Sequence, residues 1–341
     1  MFGKLPGKDR MIQYYIKEST RKSEYFKKAS EGMTYAELVS LVETAIEEEN
    51  IRALLGLAQT NKKAVSKMFK NNIDRVKQLL THQMDQGTTL AALYYIIRKE
   101  IPKDLRVIFQ RLASKAIIKS SLRIAGRGIH GDLQKKVLYH PAVSDIDLDL
   151  TIENLLEDQY LSYDNIVGID RIQRRRAGIL ILDTSGSMYR EKIITAALTV
   201  SVLAYNLRYD DYAIVTFSND AYMLKSFRSK KGIESVIRDI LEITPVGYTN
   251  MAAALDIAHK EIQYARNKEK WAVLVTDGSC NAGEDPRSFA SKFQKLHVIY
   301  VESRSEKDTS FCQELSKLGK GNFASVDKYS DVPRTLMKVI R

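Results

Sequence analysis

Residues Gly178 to Ser187, GILILDTSGS, join a short unbroken apolar run to an aspartate and a turn of small residues. An apolar run of this length closed by a turn is the pattern of a strand buried on both faces, as in a parallel sheet. The pattern recurs at Tyr212 to Phe217 (YAIVTF), Trp271 to Thr276 (WAVLVT) and Leu296 to Val301 (LHVIYV). Helix-length segments separate these runs: Glu191 to Leu207, Gly232 to Ile243, Met251 to Ala265 and Arg287 to Lys295. The alternation predicts an α/β fold with a Rossmann-like, doubly wound, mostly parallel sheet, which takes ligands beyond the carboxyl ends of its strands.

Upstream the pattern is different. From Lys8 to Ser120 the chain reads as successive amphipathic helices, with Leu38, Leu41, Val42 and Ala45 on one face of Thr34 to Glu49. Gly87 to Ile101, closed by Pro102, and Lys103 to Lys119 repeat the three-to-four spacing. An all-α domain over 1–140 is expected. Gly126 to Gly131 (GRGIHG) breaks the helical pattern, and 141–170 forms an acidic connector into the second domain, 171–341. Within the connector, Asp145 to Leu150 (DIDLDL) alternates as a half-exposed strand would. Asp145, Asp147 and Asp149 would then share one side, a solvated edge or a calcium or partner site.

Charge is uneven along the chain: +12 over residues 1–140, −8 over 141–170 and +7 over 171–341, for a total of +11. Such fields attract nucleic acid or acidic protein surfaces without saying which. The two cysteines, Cys280 and Cys312, cannot build a disulfide framework or a four-cysteine zinc site. No stretch reaches the length of about 18 apolar residues that a membrane helix needs, and Met1 to Arg10 lacks the apolar core of a signal peptide. A cytoplasmic protein is expected. Arg171, Arg174, Arg175 and Arg176 form a basic cluster open to three readings: solvated, phosphate-binding, or paired with the acidic connector.

Two of the apolar strands end in an aspartate and a tight turn, at Asp183-Thr184-Ser185-Gly186-Ser187 and at Asp277-Gly278-Ser279. Gly247-Tyr248-Thr249-Asn250 precedes a helix and brings the Thr249 hydroxyl to the same sheet edge. Asp183-x-Ser185-x-Ser187, then Thr249, then Asp277 resembles the complete metal-ion-dependent adhesion site of von Willebrand factor A domains. The resemblance covers about residues 171–341, and the order of the pieces agrees throughout. It implies that Ser185, Ser187 and Thr249 are direct hydroxyl ligands, with Asp183 and Asp277 holding the metal directly or through water. Oxygen donors of this kind suit Mg2+, Mn2+ or Ca2+, with Mg2+ the favoured occupant. Neutral hydroxyls leave the ion's charge incompletely balanced, so a carboxylate from a partner protein is an attractive further ligand. Thr184, Tyr248, Asn250 and Ser279 are candidates for facing that partner.

An aspartate at a strand end also serves as the nucleophile of haloacid-dehalogenase-type phosphatases. Their DxDxT pattern needs a second carboxylate where this chain has Ser185, which removes the general acid-base group. No nucleotide-binding loop or hydrolase motif is present, so a non-catalytic binding role is expected. His82, His130, His140, His259 and His297 show no ligand spacing, and His297, inside an apolar strand, reads as a packed residue. Cys280 beside the Asp277 loop reads as incidental or as an oxidation sensor.

The approach to the first strand, DLDLTIENLL followed by RIQRRR, looks like that of magnesium-chelatase D subunits and CoxE-like proteins. A helical half before an A domain is similar to ViaA. These resemblances imply a partnership with an AAA+ ATPase of the MoxR type. The chain itself shows no AAA+ module, unlike chelatase D. The alternative is RNA binding, since Ro-like proteins are similar in joining a helical array to an A domain.

Overall fold

The computed structural model describes residues 8–18, 21–125, 133–140, 143, 145–158, 165–172, 176–185, 191–207, 211–245, 247–302, 309–327 and 329–340. The first half is helical, as its periodicity predicts: α1 (Lys8–Glu18), α2 (Ser23–Ser30), α3 (Tyr35–Glu47), α4 (Ile51–Thr60), α5 (Lys62–Asn71), α6 (Ile73–His82), α7 (Gly87–Ile97) and α8 (Lys103–Ala125). Local chemistry fixes the starts. Thr34 caps α3 in a reciprocal box, accepting from the Glu37 amide while the Glu37 carboxylate accepts from the Thr34 amide. Asn50 and Asn61 cap α4 and α5 through their side-chain oxygens. Leu38, Leu41, Val42 and Ala45 of α3 are all buried, on the face their spacing marks.

A small antiparallel sheet follows, in the order β1-β3-β2, from β1 (Leu133–Leu138), β2 (Asp145–Ile146) and β3 (Val167–Ile172), with α9 (Leu148–Asp158) beside it. This corrects the single alternating strand expected over Asp145 to Leu150. Asp145 and Ile146 pair with β3, the Asp147 amide donates to the Val167 carbonyl at 2.8 Å, and the Asp147 side chain then turns the chain into α9 by accepting from the Leu150 amide at 3.2 Å. Lys136 approaches Asp147 at 3.0 Å, and its hydrogen bond holds that carboxyl below the usual range. The three aspartates therefore do not form one stripe: capping outcompeted strand alternation.

The remainder is a six-stranded sheet with helices on both sides: β4 (Ala177–Asp183), α10 (Glu191–Asn206), β5 (Asp211–Phe217), β6 (Ala221–Lys225), α11 (Ile233–Glu242), α12 (Met251–Gln263), β7 (Lys270–Thr276), α13 (Arg287–Ala290), β8 (Leu296–Val301), α14 (Ser310–Leu318), β9 (Lys320–Val326) and α15 (Val332–Val339). The strand order is β6-β5-β4-β7-β8-β9, parallel except for the antiparallel edge pair β5–β6. Strand alternation splits the core in two. Ile179 and Ile181 of β4 join Val215, Phe217, Leu274 and the inner face of α12, whereas Leu180 and Leu182 join Val273, Val275 and the residues of α10 and α11. At Gly178 a Cβ would sit 2.2 Å from the Trp271 ring, so the glycine makes room for the indole.

The second of these cores runs without a break into the helical half. Helix α8 packs on α7, α10 and α11, and the Ser121 and Ser201 hydroxyls meet at 2.8 Å. At the end of α11, Glu242 accepts hydrogen bonds from Tyr94, Arg106 and Gln110. Arg98, buried and stacked on Tyr95, donates to the Ile243 carbonyl at 3.1 Å. Arg176, the last residue of the basic cluster, donates to the Ile340 carbonyl at 2.9 Å and ties down α15. Residues 173–175 lie outside the described residues.

Candidate metal centre

The site is assembled by three loops at the carboxyl edge of the sheet. β4 and β7 are hydrogen-bonded neighbours in register, with Leu182 opposite Val275, so Asp183 and Asp277 leave the sheet side by side. Both carboxylates are completely buried. Asp183 accepts from the Ser185 amide at 2.9 Å and from the Thr276 hydroxyl at 3.0 Å. Asp277 accepts from the Ser279 amide at 3.2 Å, and the Lys192 ammonium lies 3.6 Å from its other oxygen. Burial, opposed by hydrogen bonds from Ser185 and increased by the charge of Asp277, pushes the Asp183 carboxyl up to about 6. Two anions are thus crowded together out of water, an arrangement a cation relieves.

Thr249 is 2% exposed, and its loop is pinned from both flanks. Its amide donates to the Asn281 side chain at 2.7 Å on the β7 side, and the neighbouring Asn250 amide donates to the Ser218 carbonyl at 2.8 Å on the β5 side. Because β4 lies between β5 and β7, these tethers draw the Thr249 loop across the end of β4. Gly247 has φ of +81°, and a Cβ there would fall 2.4 Å from the Asn219 oxygen that receives the Tyr248 amide. Gly278, at φ of +78°, turns the Asp277 loop against the Tyr300 ring. Both positions require glycine.

Of the expected ligands, Asp183, Ser185, Thr249 and Asp277 occupy these loops, and Ser187 lies outside the described residues. The four residues expected to face a partner divide. Tyr248 is 64% exposed beside Thr249. Thr184 is buried, and its hydroxyl donates to the Phe217 carbonyl at 2.9 Å, so its role is to join β4 to β5. Asn250 is half-buried and caps α12 by accepting from the Ala253 amide at 3.1 Å. Ser279 is half-buried.

The donor set fits a hard cation: two carboxylates and hydroxyls, all oxygen. Among the described residues there is no group of three or more His, Cys, Asp or Glu that could hold a metal, so an ion here depends on the hydroxyls as much as on the carboxylates. His297 is packed: its Nδ1 accepts from the Asn322 amide at 3.0 Å, which requires the neutral ring, and burial pushes it down to about 4. Cys280 is half-buried beside the site, and burial raises its thiol above the ordinary value.

Three contributors were not read from the sequence: Thr276, Asn281 and Lys192. Thr276 and Asn281 bracket Asp277, and their roles depend on which strands become neighbours.

The von Willebrand factor type A domain family matches residues 179–279. No curated protein matches the chain. Among solved structures, an aerotolerance-related membrane protein from Bacteroides fragilis is 19% identical, over 48% of this chain and 98% of that one, with a TM-score of 0.39. BatB from Bacteroides thetaiotaomicron is 18% identical, over 48% of this chain and 96% of its own, with a TM-score of 0.40. Proximal thread matrix protein 1 from the mussel byssus, with a zinc-occupied adhesion-site motif, is 18% identical over 49% of this chain and 47% of its own, at a TM-score of 0.42. No helix among the described residues is long and apolar enough to cross a membrane. The family match spans β4, which ends in the buried Asp183, and β7, which leads to Asp277, and marks a von Willebrand factor type A domain over residues 179–279.

Proposed function

We propose that the chain is a non-catalytic adaptor that binds a protein partner through a divalent ion, Mg2+ by preference, at the rim of this sheet. The observation that carries the reading is the buried pair Asp183 and Asp277 at the ends of adjacent strands, with the Thr249 loop tethered across them. Ser185, Thr249 and, by the family resemblance, Ser187 would supply neutral oxygens, which would leave the ion electrophilic toward an acidic side chain from outside. The ion would supply that Lewis acidity, and Asp183, Ser185, Thr249 and Asp277 would hold it through oxygen donors. Tyr248, exposed next to Thr249, offers the partner an aromatic contact.

The partner class follows from the flanking resemblance: an AAA+ ATPase of the MoxR type, with a client engaged by the same complex. The test is capture of that ATPase, purified, by the full chain with Mg2+ and with chelator. Asp183→Ala should remove Mg2+ binding by calorimetry and with it the capture, while leaving the far-ultraviolet circular dichroism unchanged. Capture that survives both the chelator and the substitution would sink the proposal.

One surface favours a second reading, RNA binding by the helical half. Arg21 lies over the Tyr15 and Tyr25 rings at 4.6 and 5.3 Å, beside a concavity lined by Lys22, Lys28 and the single acid Glu24. Retention of single-stranded RNA that falls steeply with salt would support it. No retention at low salt would remove it.

A further inference from the structure

Lys192 stands where a lysine is least expected. It lies near the start of the described part of α10 (Glu191–Asn206). Its side chain is only 19% exposed, so most of it is withdrawn from water. Asp277, fully buried, has an oxygen 3.6 Å from the ammonium and offsets part of that cost. Asp277 in turn stands beside Asp183, and two carboxylates out of water need positive charge close by. The Lys192 ammonium balances half of that charge. A divalent ion held by the same carboxylates would balance all of it, and would repel the ammonium from Asp277.

We propose that Lys192 is the resident counter-cation of the site: it neutralises Asp277 when metal is absent, and a divalent ion must displace it to bind. The proposal rests on the metal-binding reading above and adds its regulation. Occupancy becomes a competition between a tethered cation and a dissolved one, so the chain keeps an ordered metal-free state at the expense of metal affinity. Since Lys192 belongs to α10, the same exchange marks the helix that links the site to the helical half.

The experiment compares the full wild-type chain with Lys192→Met and Lys192→Arg after chelator treatment, titrating Mn2+ by electron paramagnetic resonance and following thermal melting. Removing a unit charge a few ångströms from the ion should tighten Mn2+ binding by about tenfold in Lys192→Met. The metal-free Lys192→Met protein should melt several degrees lower than wild type and recover with saturating Mn2+, and Lys192→Arg should track wild type. Mn2+ binding of equal strength in wild type and Lys192→Met overturns the proposal alone. Absence of Mn2+ binding in both overturns it together with the metal reading. Should Lys192→Met fail to fold, the wild-type chain decides: reductive methylation of Lys192 rises on Mn2+ addition if the ion displaces it, and unchanged labelling refutes displacement.

Discussion

The two faces of the large sheet solve the same burial problem in different ways. One face, with Ile179, Ile181, Val215 and Leu274, is closed by α12 and its neighbours into a core of its own. The other, with Leu180, Leu182, Val273 and Val275, is covered by α10, α11 and α15, and its core continues into α7 and α8 of the helical half. The first face is built as an ordinary domain would build it. On the second, the helical half acts as another layer, so damage to that half should be felt in the sheet. Trp271, the only tryptophan, lies in β7 within the shared core and reports on the sheet alone.

The sharpest way to break this comparison is Phe109→Ala in α8. Phe109 is fully buried, with its ring 5.3 Å from Tyr94 and 6.3 Å from Phe69. Truncation should cost about 3–5 kcal/mol. If the core is one cooperative unit, the urea midpoint read from Trp271 fluorescence falls together with that from circular dichroism. A Trp271 transition that stays in place would show that the halves unfold separately.

Acid should weaken the shared face next. His297 of β8 projects to the side of Ile299 and Val301 by strand alternation, and its folded value of about 4 lies below the ordinary 6.5. The sign follows from the unfolded chain taking up the proton first. His297 contributes nothing to pH dependence above about 6.5, and stability is lost as pH falls from there towards 4, by up to about 3 kcal/mol. Urea midpoints across that window should fall less steeply in His297→Gln than in wild type.

Smaller effects sharpen the picture at the seam and beyond it. Tyr94→Phe removes one of three donors to Glu242 and should cost about 1–2 kcal/mol. Thr34→Ala, which loses the cap of α3 far from the sheet, should cost about 1 kcal/mol. Both shifts should appear in the Trp271 signal as well as in circular dichroism, and a shift confined to the latter would limit the shared core to its central layers.

What the sequence made legible was whatever a short window contains. The apolar runs of β4, β5, β7 and β8 each sit in a few residues, and so do the two aspartate turns and Thr249. Strands poor in apolar residues were missed. Half-exposed β6 (AYMLK) and β9 (KGNFASV) sit at the sheet edges, where one partner strand suffices. The stretch DIDLDL misled because a capping aspartate and a strand aspartate look alike until the neighbours are known. Within the site, donors could be named but the tethers could not. The bonds of Asn281 and Ser218 to the Thr249 loop exist only because β4 falls between β5 and β7.

Every residue from Ile193 to Leu203 of α10 is buried. That stretch has no wet side. Ile194, Leu198 and Tyr205 share the face of Ser201, which meets α8. Excising residues 133–341 to study the A domain alone would therefore bare an apolar flank, and the fragment would self-associate through it. In evolutionary terms, inserting one residue into α10 would rotate everything beyond it by about 100° with no polar surface to receive the change. Length variation should instead collect in the connections at its ends.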